Sequence, residues 1–229
     1  MDTKTNQPMR LFILGATGGI GRALTDQAIE RGHRVTAFVR SPEKLRVPRE
    51  GLSVVKGDPH SADELRAALP GHDAVLSALG PPGPGRTTIH RDCARTTVTA
   101  MQAVGVRRLL IVSAAMLFDE GFLFWLLRST FLRNIAEDTA EMERVVMASD
   151  LEWTIARPPR LTNGPLTRRY SVEDDRMLRG GHSLSRVDVA HFLLEELDRR
   201  AHVRRMVGMA SSGKTTQPST QGAREERLA

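Results

Sequence analysis

The sequence predicts an α/β fold: a doubly wound, mostly parallel sheet with helices on both faces, in a single domain. Three observations predict it. Short apolar, β-branched runs alternate with stretches of helical spacing along most of the chain. The first apolar run, RLFIL at Arg10–Leu14, feeds directly into a cluster of glycines from which a helical pattern starts. The length, 229 residues, suits one domain of the larger α/β kind.

Each element follows from local pattern. After the strand at Arg10–Leu14, Ile20, Leu24 and Ala28 share one face of a helix over Gly19–Glu30, and Gly32 stops it. Arg34–Val39 and Leu52–Val55 read as strands, and Ala62–Leu69 as a helix. Asp73–Leu79 reads as a strand, and Thr87–Val104 as a helix closed by Gly105. Leu109–Val112 is a strand and Asn134–Ala148 a helix. Trp153–Ala156 is a strand before Pro158 and Pro159. Val187–Leu197 is helical, with Ser185 as its N-cap and Asp188 at the third helical position. Val203–Met209 reads as the strand that ends the sheet. Residues 1–8 read as a disordered leader, 9–210 as the domain, and 211–229 (SSGKTTQPSTQGAREERLA) as a disordered tail without apolar periodicity.

Composition narrows the function. Hydrophobic residues make up 40% of the chain, enough for a core without staples. The one cysteine, Cys93, excludes an intramolecular disulfide and falls on a helix, where it reads as core. With a polar N-terminus that has no signal-peptide core, a cytoplasmic protein is expected. No apolar run reaches the length of a membrane span. The net charge is +6, and arginine supplies it: only Lys4, Lys44, Lys56 and Lys214 are lysines among 33 basic residues. The arginines are scattered and not interleaved with aromatics. That pattern favours a solvated surface plus a phosphate-bearing ligand over a nucleic-acid partner. The seven histidines show no metal-ligand spacing, so no metal is expected. The absence of a GxSxG elbow removes support for hydrolase chemistry.

The glycine cluster reads Gly15-Ala16-Thr17-Gly18-Gly19-Ile20-Gly21. Glycines 15, 18 and 21 have the spacing of a turn that cradles a pyrophosphate: a tight turn, a close backbone approach and a close helix–strand contact. The helix then points free N–H groups at the phosphates. Placed between strand and helix, the motif marks Gly15, Thr17, Gly18, Gly19, Ile20 and Gly21 as a dinucleotide site in a Rossmann-like domain. The next strand ends at Val39-Arg40-Ser41, and no carboxylate follows until Glu43. An acid there would hold the ribose 2′-hydroxyl of NAD; Arg40 and Ser41 suit a 2′-phosphate instead, which predicts NADP(H). Asp58, after the third strand, is placed either to accept from an adenine amino group or to cap the helix near Ser61. Ala78, Leu79 and Gly80 form the exit of the fourth strand, where the small residues let a cofactor lie against the backbone. The PPGPG run at 81–85 reads as a mobile loop.

GATGGIG, the Val39-Arg40 pair, Gly57-Asp58 and the serine of IVSA (111–114) together resemble the atypical short-chain dehydrogenase/reductases. LEWTIARPPRLTNGPLTRRY (151–170) and SLSRVDVAHFLL (183–194) are similar to their NAD(P)H-binding, NmrA-like subgroup, which includes the biliverdin-IXβ/flavin reductases. The likeness runs from about residue 10 to 209. It implies a nicotinamide beside Ser113, whose hydroxyl positions the ring or the substrate, and a cofactor or substrate border at Pro158. Arg186 is free to pair internally, and helix capping suffices to explain its segment.

The chain departs from the larger superfamily in one respect. The usual Tyr-x-x-x-Lys pair, in which Tyr moves the substrate proton, is absent: Tyr170 is the only tyrosine, and no lysine lies between Lys56 and Lys214. Alcohol dehydrogenation and sugar epimerisation by that machinery are therefore not expected. Reduction of a small aromatic or conjugated acceptor, such as a flavin, quinone or tetrapyrrole, needs little side-chain acid–base work and remains compatible. The alternative is a dinucleotide-binding redox sensor that acts through a protein partner without turnover. A monomer or weak dimer is expected. Phe118, Phe122, Phe124, Trp125 and Phe131 hold half of the chain's ten aromatic residues and are candidates for a substrate wall, a lid, an interface or core.

Overall fold

The computed structural model describes residues 7–45, 49–80, 87–114, 133–176, 178 and 183–212. The aromatic segment at 118–131, the PPGPG run and most of the two ends lie outside the described residues.

The chain opens with strand β1 (Arg10–Leu14), helix α1 (Gly19–Glu30) and strand β2 (Arg34–Val39), followed by β3 (Leu52–Lys56), α2 (Ala62–Ala68) and β4 (Ala74–Ser77). Helix α3 (Ile89–Val104) ends on Gly105, whose left-handed φ of 78° suits a residue without a side chain. Then come β5 (Arg108–Val112), α4 (Arg133–Met147), β6 (Glu152–Arg157), β7 (Arg160–Thr162), β8 (Tyr170–Asp174) and β9 (Ser183–Ser185). Helix α5 (Arg186–Arg199) and β10 (Arg205–Ser211) complete the described chain. The Ser185 hydroxyl caps α5 by accepting from the Asp188 N–H, and Ser61 caps α2 from Glu64 in the same way.

Eight strands form one sheet in the order β3-β2-β1-β4-β5-β6-β10-β8. All neighbours run parallel except β8, which pairs antiparallel with β10. The chain winds outward from β1 in one direction through β2 and β3, then reverses to β4. This is a Rossmann-like α/β domain with its switch point between β1 and β4. Strand β1 is buried on both faces, which is why RLFIL reads as a continuous apolar run. Leu11 and Ile13 face the layer of α1 and α5, whereas Phe12 and Leu14 face α2, α3 and α4. All four are 0% exposed, and a fully buried side chain of this size contributes about 1.5–3 kcal/mol.

Two expectations are corrected. The sheet does not end at the strand expected over 203–209; β8 lies outside β10. Tyr170–Asp174 (YSVED) is a half-exposed edge strand without an apolar run, so its pattern is weak. The two three-residue strands β7 and β9, paired Leu161 with Leu184, carry too little periodicity to be read from sequence. In addition, β10 continues to Ser211, one residue into the segment read as tail.

Candidate functional site

The turn after β1 sits at the switch point. Gly15 has φ +79°, and a Cβ there would stand 2.5 Å from the Ala78 carbonyl oxygen and 2.9 Å from the Leu79 nitrogen. The exit of β4 is thus pressed onto the turn, backbone against backbone. A Cβ on Gly21 would meet the Gly15 carbonyl oxygen at 2.1 Å, so only glycine lets α1 start this close to the strand. The Gly18 N–H closes the turn on Gly15 at 3.0 Å. Gly18 is also the N-cap of α1; no side chain caps the helix, and its first turn holds no acid. Gly18 and Gly19 are exposed. The result is an open helix N-terminus with its positive dipole end at the sheet's carboxyl edge, a cradle that fits a dinucleotide diphosphate.

Arg40 is exposed immediately after β2, and Ser41 opens a short 3-10 turn over Pro42–Lys44 without using its hydroxyl as a cap. The Gly57 N–H bonds the Val39 carbonyl at 3.0 Å, which brings the exits of β2 and β3 together. Gly57 is required there by packing: a Cβ would run into the Phe38 ring at 2.2 Å. Asp58 Oδ1 accepts from the His60 N–H at 3.1 Å and lies 2.9 Å from His60 Nδ1. These bonds, the backbone one foremost, hold its carboxyl below the usual range. Asp58 therefore belongs to the turn before α2 and is not its cap, which is Ser61. Gly80 faces open space.

The carboxyl ends of β5 and β6 hold a buried network. The Ser113 N–H continues the sheet onto the Ala156 carbonyl at 2.7 Å. The Ser113 hydroxyl donates to Glu143 Oε1, on α4, at 2.6 Å. The same carboxylate takes two parallel bonds from Arg157, at 2.8 Å from Nε and 2.5 Å from Nη2. Glu143 and Arg157 are 3% and 8% exposed, whereas Ser113 is half-buried at the edge. Pro158 and Pro159, both buried, fix the chain as it leaves Arg157. Sequence reasoning placed Ser113 and Pro158 at this edge but missed Glu143. The signal was an acid inside the apolar stripe of Ala136, Met142 and Val146.

Cys93 is buried on α3, and burial pushes its thiol up to about 12, so it stays protonated and unreactive. Burial likewise lowers His90, which faces Asp138 and Thr139 on α4. Among the described residues no helix is long and apolar enough to cross a membrane.

The family model described as NAD(P)H-binding matches residues 15–200. An uncharacterised chloroplastic protein of Arabidopsis thaliana is 31% identical over 205 residues, 82% of this chain and 71% of its own length. A Bacillus subtilis protein named YhfK, an uncharacterised sugar epimerase, is 29% identical over 84% of this chain and 89% of its own. Among solved structures, a Streptococcus pneumoniae protein assigned as an NADH-flavin reductase superposes with a TM-score of 0.73. It covers 89% of this chain and 99% of its own at 23% identity, a likeness of fold.

Proposed function

Since the chain belongs to the NAD(P)H-binding family, we propose that it is an NADPH-dependent reductase acting on a small conjugated acceptor, such as a flavin, a quinone or a tetrapyrrole. One observation carries this reading: the hydroxyl at the expected reaction edge points its proton inward, to Glu143. Glu143 is committed to Arg157 by two further bonds. Ser113 thus offers lone pairs rather than a proton to whatever lies above it, and α4 carries no tyrosine or lysine. A carbonyl or alcohol substrate needs a proton donor at this place; a conjugated acceptor can take its proton from water.

In this reading bound NADPH supplies the hydride. The cradle of Gly15, Gly18 and Gly21 lets backbone N–H groups meet the diphosphate. Arg40 and Ser41 bind the 2′-phosphate and set the preference for NADP(H). Asp58 borders the adenine, Ala78–Gly80 lie along the cofactor, and Ser113 orients the reacting ring with Pro158 beside it. An epimerase mechanism that moves protons through Tyr and Lys finds neither residue here.

The test is to mix the protein with NADPH and, in turn, FMN, a quinone and biliverdin, following nicotinamide absorbance. Acceptor-dependent oxidation is expected. Tight binding of NADPH with no oxidation by any of the three would overturn the reductase reading in favour of a cofactor sensor.

A further inference from the structure

The open end of α1 is not bare. Arg186, the first residue of α5, lies across it: a Cβ on Gly19 would stand 2.5 Å from Arg186 Cδ and 3.0 Å from its Nε. Its Nη1 donates to Asn163 Oδ1 at 2.7 Å. That partner is a neutral amide, not the carboxylate that internal pairing would require, and Arg186 forms no ion pair among the described residues.

The segment that carries Asn163 is tied down. Asp188 Oδ1 accepts from the N–H groups of Thr167 and Arg168, each at 2.8 Å. Its Oδ2 accepts from the hydroxyls of Thr167 at 2.9 Å and Ser185 at 2.8 Å. Burial alone would raise the Asp188 carboxyl, but these bonds outweigh it and hold it low. The loop after β7, the start of α5 and the reach of Arg186 are therefore fixed as one unit.

Among the described residues, the positive end of α1 is not offset by an acid in its first turn. A guanidinium placed at a helix N-terminus meets a like-signed dipole end. Arg186 meets two: its own helix, α5, holds the Asp188 carboxylate in its first turn, whereas α1 holds no acid there. An anion seated between Arg186 and the end of α1 is attracted by both.

We propose that Arg186 closes over the diphosphate of the dinucleotide bound at α1, with Asn163 aiming the guanidinium. A cradle otherwise built of backbone thereby gains a side-chain clamp from the opposite end of the sequence. The inference rests on the dinucleotide reading above and adds the residue that grips the diphosphate.

The experiment is a fluorescence titration with NADPH, plus displacement by ADP-ribose, which carries the diphosphate, and by adenosine 2′-monophosphate, which does not. Arg186→Gln is expected to weaken NADPH and ADP-ribose by roughly ten- to a hundredfold, the range of a charge-assisted hydrogen bond. Affinity for adenosine 2′-monophosphate should stay within about twofold. Asn163→Ala, which only frees the guanidinium, should weaken NADPH severalfold and serves if Arg186→Gln does not fold. Unchanged NADPH affinity in either folded variant, or equal loss for all three ligands, overturns the clamp while leaving the dinucleotide site standing. A wild-type protein that binds neither NADPH nor ADP-ribose overturns both.

Discussion

Each edge of the sheet holds a buried arginine–glutamate pair, and the two are set differently. At the amino edge, Arg108 opens β5 and lies 3.4 Å from Glu196 near the end of α5. Its Nη1 also donates to the Glu152 carbonyl and the Thr154 hydroxyl, both at 2.8 Å. Glu196 in turn accepts from the His202 N–H at 2.7 Å and faces its Nδ1 at 2.9 Å. Burial pulls the Arg108 pKa down to about 10, with Glu196 holding it up. Every partner is inside the fold. At the carboxyl edge, Arg157 and Glu143 are buried almost as deeply, but one bond from Glu143 leads out to Ser113. Residue types and burial match, so neither can tell a structural pair from one serving a site. The edge does: in a doubly wound sheet ligands bind at the carboxyl ends of the strands.

The sharpest way to break this comparison is to remove one charge from each pair. Removing the carboxylate charge from a buried arginine–glutamate pair costs about 3–5 kcal/mol, because that charge no longer offsets the guanidinium's loss of water. Glu196→Gln and Glu143→Gln are both expected to lower urea-unfolding stability by about that amount. They should differ in function. At a temperature where both remain folded, Glu196→Gln should keep wild-type turnover, and Glu143→Gln should lose it by an order of magnitude or so as Ser113 is released. Equal kinetic losses would show that the two edges are not distinct.

A smaller effect separates the proposed cofactor half of the carboxyl edge from its proposed substrate half. Arg40→Ala should weaken NADPH by about tenfold or more, the worth of a charge-assisted bond to phosphate, and leave NADH nearly unchanged. Titrating both cofactors measures it, and a parallel loss for NADH would place Arg40 away from the 2′-phosphate.

The two halves also differ in how far they could be read in advance. The cradle lies within seven consecutive residues, between a strand and a helix whose limits, Arg10–Leu14 and Gly19–Glu30, both follow from pattern. Its chemistry is backbone chemistry, which glycine spacing reports directly. The other half is assembled from residues far apart: Ser113 and Glu143 are separated by 30 positions, Glu143 and Arg157 by 14. Nothing local announces that they meet. Arg186 makes the same point, since its neighbour Gly19 stands at the other end of the chain. Edge strand β8 was missed because it buries only alternate residues weakly, and β7 and β9 because three residues hold no period.

The smallest effect tests what Ser113 contributes once Glu143 and Arg157 are in place. Its proton is already spent on Glu143, so removing the hydroxyl takes away an acceptor and a positioning contact, not an acid. Ser113→Ala is therefore expected to lower kcat by about two- to tenfold, the range of one ordinary hydrogen bond, with NADPH affinity little changed. The pH dependence of kcat should keep its shape, since no titrating group is lost. Steady-state rates with the best acceptor across pH, beside NADPH titrations, decide the matter. Complete loss of turnover with intact cofactor binding would mean that the hydroxyl turns outward during reaction and gives up its proton. In that case the carboxyl-edge pair would feed a proton relay, and Glu143→Gln and Ser113→Ala should abolish turnover to the same extent.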